Sequence, residues 1–452
     1  MKYFTRIFGC QMNYSDAERI STILEKYKIK QASSIDEASF IIFVTCGVRQ
    51  SAEDRVYGQI NNIRKKYPTK KIIITGCLAH RKDVQRRLKG KVDLFTTIKN
   101  FPKEIKKILN TKYQIPYTKN TPCEDYLEIT PKYTNSYTAL IPIMSGCNNF
   151  CSYCVVPYTR GREYSRPAED ILKEIKSLVK KGCKEIILLG QNVNSYKSKI
   201  PSTKYQIPDT KKKAIIFADL LKLIDVTQER FWVTFLTSHP KDMSDELIET
   251  IAKSKKICEY ISLPAQSGDN EILRKMNRHY TISHYKNLIK KIRAAYKKYK
   301  PQAASAISTD IIVGFPGETK KQFENTARLL REVKFDMAYI SQYSPRPETA
   351  AWRRKDNVSK KERVHREKVL TKILMHTALE NNEKYIGKIV EVLVEKAGLP
   401  TGASAKTGHT RTQKKVMLHS NKKIPVGDFV KVKITKAKAF GLEGKIIRGP
   451  TP

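Results

Sequence analysis

The sequence predicts an α/β chain in three parts. These are an N-terminal parallel α/β sheet, a central (β/α) barrel or partial barrel, and a small antiparallel C-terminal β-barrel. Three observations predict it. Short β-branched runs alternate with helical stripes over residues 1–112, which implies parallel strands covered by helices. The same alternation resumes over 133–370. From 371 to 447 the apolar period changes to two and turn glycines recur. The length of 452 residues accommodates about three domains.

In the first part, Tyr3–Phe8, Phe40–Val44 and Lys71–Thr75 read as buried strands. Ser15-Asp16-Ala17-Glu18 reads as a capping box, with Ile20, Ile23, Leu24 and Tyr27 on one helical face behind it. A second helix is expected from Ser51, with Val56, Ile60 and Ile63 as its stripe. Each strand is followed by a cysteine beside a glycine: Gly9-Cys10, Cys46-Gly47 and Gly76-Cys77. The C-terminal ends of parallel strands share one edge, where such folds bind ligands. Cysteines distant in sequence can therefore meet, and glycine lets the backbone approach a bulky group. Three independent core thiols are the alternative.

Residues 113–132, with Pro116, Pro122 and Pro131, read as a linker, and Cys123 within it as a free thiol. In the central part, strands are expected at Thr138–Met144, Glu185–Leu189, Phe231–Leu236, Tyr260–Leu263, Ser308–Val313 and Ala338–Tyr343. Helices are expected at Ala168–Lys181, Ser283–Lys298 and Lys320–Val333. The first strand leads into Cys147, Cys151 and Cys154, spaced C-x3-C-x2-C. Three thiolates this close fold over one small object. Structural zinc takes four ligands, commonly in C-x2-C pairs, and no fourth ligand follows here. Iron–sulfur clusters take one cysteine per iron, so three cysteines on a cubane leave one iron open. Zinc or free thiols stay as the alternatives. Gly190-Gln191-Asn192, Gln266-Ser267-Gly268 and Gly314-Phe315-Pro316-Gly317 follow three further strands, where barrels place functional loops. Arg160, Arg162 and Arg166 follow the cysteines and suit a phosphate or carboxylate, or equally an outer salt bridge. Tyr196–Lys213 reads as an exposed loop, and Cys183 and Cys258 as core thiols.

In the last part Lys388–Glu395, Thr412–His419 and Asp428–Thr435 read as strands, between turns at Gly398, Gly402, Gly408, Gly427, Gly441 and Gly444. The stretches Thr407–Leu418 and Lys431–Lys438 are strongly basic, which suits RNA phosphates or a solvated face. Lys and Arg total 86 against 44 Asp and Glu, a formal charge of +42. Such an excess favours a polyanionic partner, nucleic acid first. Nine cysteines are too few for a secreted disulfide scaffold. No secretory leader or membrane-spanning run is expected, so the protein reads as cytoplasmic, with no membrane partner.

The cysteine loop resembles the radical S-adenosylmethionine superfamily, which uses a partial barrel. Residues Val155–Pro167 narrow the likeness to the methylthiotransferases, in the branch acting on tRNA adenosine beside the anticodon. Phe8–Asn13, Val44–Arg49 and Thr75–Ala79 resemble that family's three N-terminal signatures, with Val44 where Asn is usual. Residues 371–447 resemble a TRAM domain.

The resemblance implies two [4Fe–4S] clusters. Cys147, Cys151 and Cys154 would hold the one that cleaves S-adenosylmethionine to a 5′-deoxyadenosyl radical. Cys10, Cys46 and Cys77 would hold a second, which carries the sulfur. S-adenosylmethionine would serve as both methyl donor and radical source, contacted by Gly190, Gln191, Asn192, Gln266, Ser267 and Gly314. Arg160, Arg162 and Arg166 would meet RNA or the cofactor carboxylate. The implied reaction replaces the C2 hydrogen of N6-isopentenyladenosine at tRNA position 37 by a methylthio group. The partners implied are a tRNA anticodon stem-loop, an electron donor such as flavodoxin or ferredoxin, and a sulfur source. The oligomeric state stays open, a monomer among the options. Two rivals remain at this point: the same chemistry on a ribosomal-protein aspartate, and a non-catalytic iron–sulfur protein that senses redox state and binds RNA. Glu348 stands where the family has glycine.

Overall fold

The computed structural model describes residues 1–48, 50–109, 126–200, 213–395, 406–419 and 424–448. Cys123, most of the expected linker, the middle of the loop expected at 196–213, and the turns at Gly398 and Gly402 lie outside the described residues. The chain divides into two compact units. One comprises 1–135, 140–164 and 344–352; the other comprises 136–139, 165–343 and 353–452.

The first unit holds a five-stranded parallel sheet in the spatial order Lys30–Gln31, Lys2–Ile7, Phe40–Thr45, Lys71–Gly76, Leu94–Phe95. Phe40–Thr45 is buried along its whole length. Helices cover both faces, so its sequence shows an unbroken apolar run rather than alternation. Ile42 and Val44 pack with Ile20 and Leu24 of the helix Gln11–Lys26 on one face. Ile41 and Phe43 pack with Val56 and Ile60 of the helix Gln50–Lys66 on the other. After Lys2–Ile7 the chain moves outward to one side, and after Phe40–Thr45 to the other. The sheet therefore has a topological switch point between these two strands, where open α/β sheets form their ligand crevice.

The expected capping box is corrected. The first helix begins at Gln11 with Cys10 as its N-cap, so Ser15 and Glu18 lie within it. Ser15 Oγ donates to Leu140 O (3.1 Å), and Glu18 Oε1 accepts from Thr134 N (2.9 Å). Tertiary partners took the groups that a local motif would have used.

In the second unit, Glu185–Leu189 pairs in parallel with Trp232–Phe235. Tyr260–Ser262, Ala306–Val313 and Met337–Gln342 form a further parallel sheet. A bridge from Val233 to Ile257 continues one sheet toward the other. Helices follow most strands, including Ala168–Lys180, Ile282–Tyr299 and Lys320–Val333. The expected strand Thr138–Met144 is interrupted: Thr138–Pro142 and Met144–Ser145 are separate pieces, with Pro142, which has no N–H to donate, at the break.

The C-terminal strands close a five-stranded barrel in the order Ile389–Glu395, Lys406–Thr410, Lys415–His419, Gly441–Arg448, Phe429–Lys438. Its Lys415–His419 and Gly441–Arg448 pair is parallel, the others antiparallel. The expected strand at Thr412 begins instead inside a tight hairpin. Gln413 sits there at φ +58° and donates its N–H to Thr410 O (2.9 Å). Val392, Val394, Val416, Val430, Val432 and Leu442 fill the barrel. It docks on the rest of its unit through Leu393 and Phe429 against Trp232 and Cys258. A long helix, Lys360–Glu383, precedes the barrel and runs through position 370.

Candidate functional site

In the first unit, Cys10, Cys46 and Cys77 follow three adjacent strands at the C-terminal edge of the sheet. They converge. The neighbouring Cys46 thiol draws Cys10 down to about 6, and Cys10, together with burial, pushes Cys46 up. A Cβ on Gly9, itself at φ +136°, would lie 2.4 Å from Cys46 Cβ, so only glycine admits this approach. A Cβ on Gly47 would lie 3.2 Å from Cys77 Cβ and 3.5 Å from Val155 Cγ2. Val155 directly follows Cys154, so the loops of both cysteine trios meet at Gly47.

The second trio is folded as tightly. Gly146 adopts φ +77°, and a Cβ there would lie 2.1 Å from Arg162 O. Phe150 adopts φ +46°, a conformation that non-glycine residues rarely take. Cys147 N donates to Gly161 O (3.2 Å) and Cys154 N to Cys151 O (2.9 Å). Burial, then the nearby Cys151, raises the Cys154 thiol to about 12. N–H groups aim at sulfur in both trios: Val48 N at Cys46 (3.4 Å), Asn149 Nδ2 at Cys147 (3.5 Å) and Val156 N at Cys154 (3.5 Å). Donors of this kind tune iron–sulfur sites. Both sets therefore fit a cluster by donor chemistry and by the glycine approaches around them. No group of three His, Cys, Asp or Glu side chains among the described residues encloses a single metal-ion position.

The three arginines differ. Arg160 pairs with Asp16 (2.7 Å), and its guanidinium also approaches Tyr126 OH and Asn13 Oδ1, both at 3.5 Å. Arg166 pairs with Glu174 (2.8 Å) in the second unit. Arg162 is exposed and stacks over Phe150, 4.4 Å from the ring centroid. It lines a cavity of about 530 Å³ together with Gly76, Thr97, Lys99, Tyr126 and Ser145. That cavity opens beside Gly76-Cys77 and two residues before Cys147. Arg346 is a further buried cation of this unit. It holds the Cys46 loop by donating to Val48 O (2.9 Å) and pairs with Glu53 (2.9 Å). Next to it Glu348 adopts φ +72°, which explains why glycine suits that position.

The remaining expected contacts sit at strand ends of the second unit. Gln191 Oε1, Asn192 Oδ1 and Gln266 Oε1 are buried without a hydrogen-bond partner among the described residues. Buried polar atoms are normally satisfied, so these loops fit a polar ligand such as S-adenosylmethionine. Gln266 sits at φ +66°, strain of the kind found at ligand sites. Ser267 differs from its neighbour: its Oγ faces Thr326 Oγ1 (3.4 Å) and accepts from Asp269 N (3.2 Å). Gly314 lies at φ +69°, donates its N–H to Glu318 Oε2 (2.6 Å) and accepts from Arg363 Nε (3.1 Å). A Cβ there would strike Arg363 Cγ at 2.3 Å. Sequence reasoning passed over Asp16, taken for part of a cap, and the loop Thr237–Pro240. That loop also follows a strand end, which is the signal that would have found it.

Comparison with known proteins adds three matched segments. Residues 2–97 match an uncharacterized protein family, UPF0004; residues 141–330 match the radical SAM superfamily; residues 383–447 match the TRAM domain. The tRNA-2-methylthio-N(6)-dimethylallyladenosine synthase of Clostridium botulinum is 42% identical over 458 aligned positions, covering 99% of this chain and 97% of that one. Its namesake in Carboxydothermus hydrogenoformans is 39% identical, covering 98% and 99%. Among solved structures, the radical S-adenosylmethionine methyltransferase TsrM of Kitasatospora setae superposes with a TM-score of 0.54 at 13% identity, covering 78% of this chain and 76% of that one. That likeness speaks for the fold. The radical SAM match implies a [4Fe–4S] cluster and S-adenosylmethionine. With relatives this similar over almost its whole length, the chain belongs to the tRNA-2-methylthio-N(6)-dimethylallyladenosine synthase family of radical S-adenosylmethionine enzymes.

Proposed function

We propose that this protein is a tRNA methylthiotransferase that carries two [4Fe–4S] clusters and places a methylthio group on C2 of N6-isopentenyladenosine, beside the anticodon. The observation that carries the reading is the meeting of two cysteine trios at Gly47, within one compact unit. Bound there, the clusters with S-adenosylmethionine supply one-electron chemistry and a transferable sulfur. An unactivated aromatic C–H needs such chemistry, since no side-chain base can take its proton.

The chain's own residues have separable tasks. Cys147, Cys151 and Cys154 would hold the cluster that serves S-adenosylmethionine. Cys10, Cys46 and Cys77 hold the other. Gly190, Gln191, Asn192, Gln266 and Gly314 present backbone and amide groups to the cofactor, and Ser267 braces that wall against the helix Lys320–Val333. Arg160 and Arg166 are held by carboxylates, while the exposure of Arg162 supports its meeting RNA phosphate. Lys431, Lys433 and Lys445 of the terminal barrel add phosphate contacts, so affinity for tRNA falls as salt rises. An electron donor such as flavodoxin or ferredoxin and a separate sulfur source complete the reaction. No helix among the described residues is long and apolar enough to cross a membrane, and tRNA as substrate supports a cytoplasmic location.

Mass spectrometry of tRNA nucleosides from a deletion strain tests the substrate. The methylthio nucleoside should vanish and its isopentenyl precursor accumulate; an unchanged profile contradicts the assignment. Anaerobic reconstitution should give about eight irons per chain if both sites hold cubanes. Replacing Cys10, Cys46 and Cys77 together by Ala should halve that count and leave cleavage of S-adenosylmethionine intact.

A further inference from the structure

The loop after Trp232–Phe235 holds two buried polar atoms with no partner among the described residues, Ser238 Oγ and His239 Nε2. Both residues are buried, at 5% and 3% exposure. Unsatisfied buried groups of this kind are uncommon and ask for a ligand. The tautomer of His239 is set locally. Its Nδ1 accepts from Lys241 N (3.2 Å), so the proton sits on Nε2 and makes that nitrogen a donor. Burial, then Arg278 and Lys241, lower its pKa to about 2 and keep the ring neutral.

The same loop is laced into the strand-end loops already described. Thr237 Oγ1 donates to Gly190 O (2.6 Å) and Val193 N to Thr237 O (3.1 Å). Asn194 and His239 exchange two bonds: His239 N to Asn194 Oδ1 (2.9 Å) and Asn194 Nδ2 to His239 O (3.1 Å). Asn192 Nδ2 donates to Asp242 Oδ2 (2.7 Å). On its other side the His239 ring meets Tyr280 edge-on at 5.6 Å, and Tyr280 OH donates to Ala265 O (2.7 Å), beside Gln266. Thr237 itself sits at φ +66°, an outlying conformation for a β-branched residue. Two non-glycine residues in left-handed conformation, Thr237 and Gln266, thus lie in hydrogen-bonded strand-end loops that carry five polar atoms without a partner among the described residues.

We propose that Ser238 and His239 are S-adenosylmethionine-binding residues, with His239 Nε2 donating to an acceptor oxygen on the ribose or the carboxylate of the cofactor. This rests on the reading that the strand-end loops of the second unit hold S-adenosylmethionine. Gln191, Asn192 and Gln266 bring oxygen acceptors to the loops that are linked to that of His239. His239 Nε2 adds a buried N–H donor beside these oxygens, and a cofactor with both ammonium and carboxylate groups uses both kinds.

The test uses the full chain with its clusters loaded, by anaerobic equilibrium dialysis against S-adenosylmethionine and against 5′-methylthioadenosine, which keeps the ribose and lacks the carboxylate. His239→Ala should weaken S-adenosylmethionine binding about tenfold, the size of one buried hydrogen bond. His239→Gln, which retains an N–H at similar reach, should recover most of it. Ser238→Ala should weaken binding severalfold and removes only one oxygen, so it decides the matter should His239→Ala not fold. Loss confined to S-adenosylmethionine identifies the carboxylate as partner; loss for both ligands identifies the ribose. Wild-type affinity in His239→Ala and Ser238→Ala overturns the proposal, as does a folded His239→Gln that binds no better than His239→Ala. If the wild-type protein itself binds no S-adenosylmethionine, the broader reading of these loops fails as well.

Discussion

Arg160 Nη2 lies 2.7 Å from Asp16 Oδ2, with the two side chains 8% and 0% exposed. The pair ties the loop after Cys154 to the helix Gln11–Lys26, whose N-cap is Cys10. Burial opposes the guanidinium charge, yet Asp16 more than offsets it and holds Arg160 well above its usual range. Removing one partner of such a pair leaves an uncompensated charge in the interior. Arg160→Leu should therefore cost about 3–5 kcal/mol of stability. Denaturant unfolding measures this, and iron content after reconstitution should fall for both trios together. A variant as stable as wild type would show that the pair does not brace the site.

Gly146 separates the two trios experimentally. Its left-handed φ and the Arg162 carbonyl leave no room for a methyl group. Gly146→Ala should displace Cys147 and lose about half of the roughly eight irons. The N-terminal sheet should unfold as before. Full iron occupancy in this variant would mean that the loop tolerates a side chain, contrary to its packing.

His409 makes barrel docking depend on pH. It lies between Glu185 and Glu395, 3.0 Å from each carboxylate. Burial lowers its affinity for a proton, but Glu185 and Glu395 outweigh that and raise its pKa from 6.5 to about 9. The folded state thus binds the proton more tightly than the unfolded state. Its contribution, on the order of 3 kcal/mol, is complete below pH 6.5 and is lost as pH rises through 9. Thermal unfolding midpoints should fall over this window. His409→Gln should lower stability at pH 6 and flatten the dependence.

Arg366 supports the Gly314 loop from behind. Its Nη1 lies 2.7 Å from Glu318 Oε2, the same oxygen that accepts from Gly314 N. Burial raises the Glu318 pKa despite these partners. Arg366→Met should destabilise by roughly 3–5 kcal/mol and weaken S-adenosylmethionine binding. Arg366→Met together with Glu318→Gln should recover stability more than affinity, because the glycine N–H loses its charged partner. Calorimetry of unfolding and of cofactor binding distinguishes the two effects.

Much of this site was legible in one dimension because strand ends and cysteines are local signals. Phe40–Thr45 and Lys71–Gly76 are buried on both faces over nearly their whole length, which is how buried parallel strands read. Cys46 and Cys77 directly follow these strands, and Cys10 comes three residues after Lys2–Ile7. Helix starts were less legible. Ser15 and Glu18 have the spacing of a cap, but their side chains bond Leu140 and Thr134, more than a hundred residues away. The arginines were similar: Arg160, Arg162 and Arg166 look alike in sequence, and only the fold pairs two of them with carboxylates, Asp16 and Glu174, and leaves one exposed.

By itself the sequence singled out the candidate residues: two sets of three thiols, glycines beside them, and a basic barrel to follow. Tertiary structure alone decided that the two sets share one compact unit and meet at Gly47. It also decided that Asp16 neutralises Arg160, and that Ser238 and His239 hold buried polar atoms at a strand end. The physical reason is range. Periodicity and turn chemistry act over a few residues, whereas charge pairing and the burial of polar atoms depend on partners that only folding brings within a few ångströms.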